Sequence, residues 1–325
     1  MSAFTWADGD RLIRFGPGAG EHAWRGADLL STPRARASIP EGLRDAWRSV
    51  HDVPPGQVTD AAAALVAEVG EGRLVAWGGG RVIDTAKAVA AARGGRVCAV
   101  PTTLSGAEMT GGHRVVPGYE ERGRHRPVLV LADPALMTGQ AEPDRRASAM
   151  NALAHAAEAL YGPGRNPVSG MAAAAAAGDI AAGIDDRVPD ARERLAQGSL
   201  LAAYAMDSAG YSLHHVLCQT IVRACGTPHA ATNATMLPHV LAAMAGREAA
   251  AVARLADALG VTVAGLPERV TELGGGRRTL ADLGVSPDGL GAIADAALER
   301  PELARMHPPP DREELLSLLR RAARS

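Results

Sequence analysis

Apolar positions along this chain follow two different rhythms. In roughly the first 135 residues, short runs of Leu, Val, Ile and Ala predict strands at 11–15, 27–31, 73–77, 96–100 and 127–132. Between them, helical spacing predicts helices at 59–69 and 81–93, the first with Thr59 as its N-cap. Strands alternating with helices imply a parallel sheet covered on both faces. The pattern changes near residues 142–144. Beyond that point Ala- and Leu-rich stretches predict helices at 147–161, 168–184, 192–211, 213–224, 232–245, 248–259, 290–298 and 312–323. Breaks fall at Gly162-Pro163-Gly164, Gly226-Thr227-Pro228 and Pro308-Pro309-Pro310. The expected fold is therefore an α/β domain over residues 1–142 followed by an all-helical domain over 143–325. No internal repeat is evident, and the Ala tracts fit helix cores better than disorder.

Composition narrows the picture. Aromatic residues make up 3%, so Ala, Leu and Val must build most of the core. The net charge of −2 is spread in both signs along the chain, which gives no footprint for nucleic acid. The first ten residues carry Asp8 and Asp10 and lack the apolar segment of an export signal. The longest apolar runs, 61–67 and 171–177, are too short and too Ala-rich to span a bilayer. Three cysteines, Cys98, Cys218 and Cys225, form no C-x-x-C pair. Reduced thiols in a cytoplasmic protein are expected.

Candidate chemistry lies in two loops and one histidine cluster. The segment 73–87 reads as strand, Gly78-Gly79-Gly80, then helix. Glycines let a backbone approach a phosphate closely, and the free N–H groups of a helix start favour an anion. The spacing is not G-x-G-x-x-G, and a purely structural turn is as good a reading of these glycines taken alone. A second loop, 101–110, carries Thr102, Thr103 and Ser105 after the next strand. In open α/β sheets ligands sit at such strand ends. Asn151 and His155 stand four apart and share a helix face. With His215 and His229 they could converge on one ion or one oxyanion. Any one of these histidines alone reads more readily as a satisfied core residue.

Taken together, these motifs resemble the iron-containing alcohol dehydrogenase superfamily, which shares its architecture with dehydroquinate synthase. The family's GGGSxxDxAK turn is matched by residues 78–87, including Asp84 and Lys87. Its PTTxxGSExT-like loop is matched by 101–110 and its DPxL element by Asp133-Pro134-Ala135-Leu136. Within the superfamily the chain is most similar to the maleylacetate reductase branch. That similarity rests on Ser31-Thr32-Pro33, on 150–161, on 213–218, on Pro228-His229-Ala230 and on Leu237-Pro238-His239. The resemblance implies a dinucleotide-binding first domain and a cofactor, NADH or NADPH, held by Gly78, Gly79, Gly80, Asp84, Thr102, Thr103, Ser105, Thr32 and Arg34. It places Asn151, His155, His215 and His229 on the four metal-ligand positions, for Zn²⁺ or Fe²⁺, and makes the three histidines the catalytic candidates. It also implies a homodimer.

Three positions depart from the family pattern. Asn151 stands where metal-dependent relatives have Asp, which removes a negative charge and weakens the site. Gln219 stands where relatives have a His near the nicotinamide; it can hydrogen-bond but cannot shuttle a proton. Arg81 replaces the Ser of the glycine turn. No carboxylate follows the early strand, where Arg34 and Arg36 stand, so NADPH is expected to be tolerated or preferred. The implied reaction is hydride transfer to an unsaturated oxo-diacid, maleylacetate to 3-oxoadipate. Arg223 and Arg114 are the candidate partners of the dicarboxylate. The altered positions also leave open another carbonyl substrate or a non-redox lyase or cyclase reaction.

Overall fold

The computed structural model describes residues 3–186 and 188–324. Seven strands form one sheet: β1 (Phe4–Asp8), β2 (Arg11–Phe15), β3 (Asp28–Ser31), β4 (Ser49–Asp52), β5 (Arg73–Gly78), β6 (Arg96–Pro101) and β7 (Leu129–Ala132), in the order β1-β2-β7-β6-β5-β3-β4. All neighbours are parallel except the β1–β2 hairpin, which is antiparallel. The expected sheet therefore gains two edge strands. Both lack a sustained apolar run: β1 lies mostly exposed, and β4 is the polar tetrapeptide Ser-Val-His-Asp.

Helices α1 (Pro33–Arg36), α2 (Val58–Leu65), α3 (Gly80–Arg93) and α4 (Pro134–Met137) accompany the sheet. Alternate residues of β5 explain why both faces are covered. Leu74 and Ala76 join the α2–α3 core, whereas Val75 and Trp77 pack on the opposite side with Ala35 and Ile39. Thr59 is not the N-cap expected from the sequence. The helix starts one residue earlier, after Gln57, and no side chain caps it.

The rest of the described chain is helical: α5 (Glu142–Tyr161), α6 (Pro167–Asp185), α7 (Ala191–Ala209), α8 (Leu213–Cys225), α9 (His229–Arg247), α10 (Ala249–Ala258), α11 (Leu266–Leu273), α12 (Leu290–Leu298) and α13 (Arg312–Arg324). Every residue of α5 from Ala149 to Tyr161 is buried, which makes it the central helix of the bundle. Small residues bring α6 and α7 very close. A Cβ added at Gly183 would lie 2.6 Å from the Ala191 carbonyl oxygen, and one at Gly198 would lie 2.8 Å from the Ile180 side chain. Helix α6 is long and apolar enough to cross a membrane, but half of it is buried in this bundle. One continuous hydrophobic cluster joins the two halves of the chain, linking Ile13, Val130 and Ala132 of the sheet to Leu153 and Ala157 of α5.

Asp28 fastens the sheet end remote from the loops at 78–80 and 101–110. Its buried carboxylate accepts from Arg48 at 2.7 Å, from the Ser49 hydroxyl at 2.7 Å and from the Gly70 N–H at 2.9 Å. Hydrogen bonding to Arg48 leads in lowering its pKa to about 2. The native state thus binds this proton less readily than the unfolded chain. The stabilisation is fully present above about pH 4 and is lost as pH falls toward 2. Asp28→Asn is expected to cost about 2 kcal/mol at pH 7 and much less at pH 2.5. Urea unfolding at the two pH values checks this; an equal cost at both would refute it.

Candidate active site

Two loops at the carboxyl ends of β5 and β6 meet so closely that glycine is required. Cβ atoms added at Gly78, Gly79 and Gly80 would lie 2.7 Å from Val82, 2.9 Å from Thr103 and 2.9 Å from Ser105 Oγ, respectively. Gly79 is the N-cap of α3 and, lacking a side chain, leaves the first-turn N–H groups without a cap of its own. Beside them opens a cleft of ≈450 Å³ lined by Thr32, Arg34, Gly79, Gly80, Thr102 and Thr103. Six of the nine expected cofactor residues thus share one wall. Gly78 and Ser105 stand just behind it, packed on Val82 and Gly80. Asp84 is turned away: its carboxylate pairs at 2.7 Å with Lys87, a fully buried ammonium that also donates to the carbonyls of Ala107 and Thr110. This pair ties α3 to the second loop. Thr32 caps α1 by accepting from the Ala35 N–H at 3.2 Å. Arg36 pairs with Asp52 at 2.6 Å, whereas Arg34 is largely exposed at the rim and only 4.0 Å from Asp144. Gln140 also lines the cleft, with a buried Oε1 that has no partner among the described residues. Nothing in its sequence context marks it.

The histidines assemble around α5. Asn151, His155 and Glu158 lie on one face of that helix. The His155 ring stacks on His215 with centroids 4.9 Å apart, and the Asn151 amide nitrogen is 3.4 Å from His155 Nε2. Glu158, not singled out from the sequence, organises the cluster. It accepts from the N–H groups of Ser212, His214 and His215 at the start of α8 and from His215 Nδ1 at 2.6 Å. A carboxylate at a helix N-terminus is well placed electrostatically, and here it also fixes a histidine tautomer. His214 turns away from the cleft to Asn233 Oδ1 at 2.9 Å. His229 is exposed, at the first position of α9.

Burial, reinforced by neighbouring imidazoles, holds these rings neutral. It lowers His214 and His215 to about 3 and His155 well below the usual range. Three buried atoms are left without partners among the described residues: Asn151 Oδ1, His155 Nδ1 and His215 Nε2. Neutral imidazoles with one amide oxygen are suitable donors for Zn²⁺ or Fe²⁺, and the Glu158–His215 bond is the kind of outer contact that orients a ligating ring. The donor type therefore fits an ion. No group of three or more His, Cys, Asp or Glu side chains among the described residues is placed to hold an ion, and a carboxylate in place of the Asn151 amide would add a charged donor that the cluster lacks. Asn151→Asp is accordingly expected to tighten Zn²⁺ binding by at least about tenfold. Calorimetric titration of both proteins with Zn²⁺ checks this, and equal affinities would refute it.

The two parts of the site touch at Gly106. Its φ is +76°, and a Cβ there would lie 2.6 Å from Ala203 Cβ and 3.3 Å from His155 Nδ1. The second loop thus runs from the cleft beside α3 to the histidine cluster. Glu108 in the same loop is fully buried with both carboxylate oxygens unpartnered among the described residues, and burial pushes its pKa up to about 7. Gln219 accepts from Arg300 Nη2 at 3.1 Å. Arg223 and Arg114, the candidate dicarboxylate partners, are both exposed.

Comparison with known proteins identifies the family. Residues 33–140 match the iron-containing alcohol dehydrogenase model, and residues 146–323 match the C-terminal model of the Fe-containing alcohol dehydrogenase family. The chain belongs to the iron-containing alcohol dehydrogenase family. It falls in the maleylacetate reductase branch. Maleylacetate reductase of Burkholderia cepacia is 33% identical, with 93% of each chain covered. Maleylacetate reductase 1 of Rhodococcus opacus is 33% identical over 92% of this chain and 91% of its own. The crystal structure of maleylacetate reductase from Rhizobium sp. strain MTP-10005 superposes with a TM-score of 0.81 at 27% identity, covering 99% of this chain and 98% of that one.

Proposed function

We propose that this member of the iron-containing alcohol dehydrogenase family is an NAD(P)H-dependent reductase that carries hydride to an unsaturated oxo-diacid, converting maleylacetate to 3-oxoadipate. The observation that carries this reading is the contact of the nucleotide-side loop with His155 at Gly106, which brings a phosphate-binding cleft and a cluster of neutral imidazoles together. The cofactor-binding wall is Gly79, Gly80, Thr32, Arg34, Thr102 and Thr103, with Gly78 and Ser105 behind it. The residues that follow β3, Thr32-Pro33-Arg34, include no carboxylate, and the exposed Arg34 stands at the cleft rim, so NADPH is accepted alongside NADH.

In the reaction, hydride leaves nicotinamide C4 for the alkene carbon β to the ketone. The alkene electrons shift and the ketone oxygen becomes an enolate oxygen. The α-carbon then takes a proton that originates from water, giving the saturated oxo-diacid and NAD(P)⁺. With Asn151 donating toward Nε2, His155 carries its proton on Nδ1, the atom left unpartnered beside Gly106. That N–H is placed to donate to the oxygen as negative charge builds. His215, with Nδ1 fixed by Glu158, supports the His155 ring by stacking and keeps a buried Nε2 lone pair without a partner among the described residues. His229, exposed at the start of α9, is the proton exchanger on the solvent side. A bound Zn²⁺ or Fe²⁺, held by Asn151, His155, His215 and His229, would supply Lewis-acid polarisation of the ketone oxygen.

The substrate's two carboxylates, a homodimeric state and a cytoplasmic location complete the proposal. Its direct test is NADH and NADPH oxidation at 340 nm with freshly generated maleylacetate. Turnover with either cofactor is expected. Intact cofactor binding without any turnover would overturn the assignment.

A further inference from the structure

We propose that Arg300 anchors one carboxylate of the substrate, an assignment that rests on the reading above that the substrate is an oxo-diacid. Arg300 follows α12 and is mostly buried, with a side chain 15% exposed. One edge of its guanidinium is committed to Glu302: Nε donates to Oε2 at 3.2 Å and Nη2 to Oε1 at 2.8 Å. Nη2 also meets Gln219 Oε1 at 3.1 Å and the Tyr211 hydroxyl at 3.5 Å. Tyr211 in turn donates to Glu302 at 2.9 Å. These four side chains close a polar ring. Nη1 is outside it, buried, and without a partner among the described residues.

Glu302 already balances the charge and Tyr211 already satisfies Glu302, so the ring does not need Nη1. A buried guanidinium nitrogen with unused N–H groups is costly unless something accepts from it. The planar fork suits a carboxylate oxygen, whose charge would strengthen the bond.

The location fits as well. The Tyr211 ring lies 5.8 Å from the His215 ring. Gln219 is four residues, one turn, beyond His215 on α8. The Gln219 side chain that Arg300 meets therefore springs from α8 about one helical turn, ~5 Å, beyond His215. An oxo-diacid has its ketone and its carboxylates one or two carbons apart. With its ketone oxygen at His155, it would bring a carboxylate to this edge. Arg223 and Arg114 are exposed, whereas Arg300 is bonded to Gln219 and to Tyr211, whose ring lies beside His215. Gln219 acquires a purpose in the same arrangement: it accepts from Arg300 and so positions it, which a protonated histidine could not do.

The test compares wild type, Arg300→Met and Arg300→Lys with maleylacetate and with the two mono-acids that each lack one of its carboxylates. Arg300→Met is expected to raise KM for the diacid about 10- to 100-fold while the KM for NADH stays unchanged. That penalty should vanish with the mono-acid lacking the anchored carboxylate. Arg300→Lys retains a charge for Glu302 and loses the Nη1 edge; it should show a similar KM rise and carries the test if Arg300→Met does not fold. Unchanged KM for the diacid in Arg300→Lys overturns the anchor, and so does an equal penalty with all three substrates, which is the result expected if Nη1 meets only water. A wild type that does not reduce the diacid overturns the functional reading and the anchor with it.

Discussion

His155→Phe is expected to lower kcat by about 10²- to 10³-fold while leaving NAD(P)H binding intact. Phe preserves a flat ring to stack on His215, 4.9 Å away, and removes both nitrogens. What is lost is the donor at Nδ1, a buried atom with no partner among the described residues. His155→Asn is the informative companion. Its amide nitrogen falls close to the position of Nδ1, so it should retain much more activity than the Phe variant despite its smaller size. Single-turnover oxidation of bound NADH, with cofactor affinity measured separately by fluorescence, distinguishes a chemical defect from a binding defect. Equal rates for wild type and His155→Phe would remove His155 from the chemistry.

Gly106→Ala is expected to damage both stability and rate. A non-glycine residue at φ +76° is strained before any contact is counted. The new Cβ would then meet Ala203 Cβ at 2.6 Å, in a helix whose surroundings are fully packed. Strain and overpacking together should cost about 2–4 kcal/mol. The same atom presses on His155 at 3.3 Å, so relief by movement shifts either the loop or the imidazole. Misplacement of catalytic groups by about 1 Å can cost ~100-fold in rate. Thermal unfolding and kcat measured on the same preparation check both parts. A variant of wild-type stability would show that the loop is not held where its contacts indicate.

The periodicity of the chain made much of the architecture legible. Strands β2, β3, β5, β6 and β7 lie close to their expected positions because each carries a compact apolar run. The long helices from α5 to α9 follow equally well from Ala and Leu spacing. Strands β1 and β4 escaped because edge strands need only one neighbour and can be polar, and α11 because its eight residues include Pro267 and two glutamates. At the site, motif residues could be named from the sequence but their partners could not. Glu158 follows His155 by three residues on the same helix, a spacing that signals a shared face in hindsight. Asn233 and Arg300 meet the cluster only through tertiary packing, which local sequence does not encode. Asp84 illustrates the reverse case: its motif suggested a role at the cofactor, whereas its carboxylate is turned to a buried lysine.

The near contact of α6 with α7 gives the bundle a one-sided mutational tolerance. With Ala at most interior positions, trimming a side chain removes few atoms and leaves little empty space. Adding even one methyl at Gly183 or Gly198 would force two backbones apart. A saturation survey of these helices should therefore find enlargements depleted far more strongly than truncations, the opposite of what a Leu- and Phe-filled interior would yield. Evolutionary drift in this protein is thus confined by crowding rather than by the loss of buried surface.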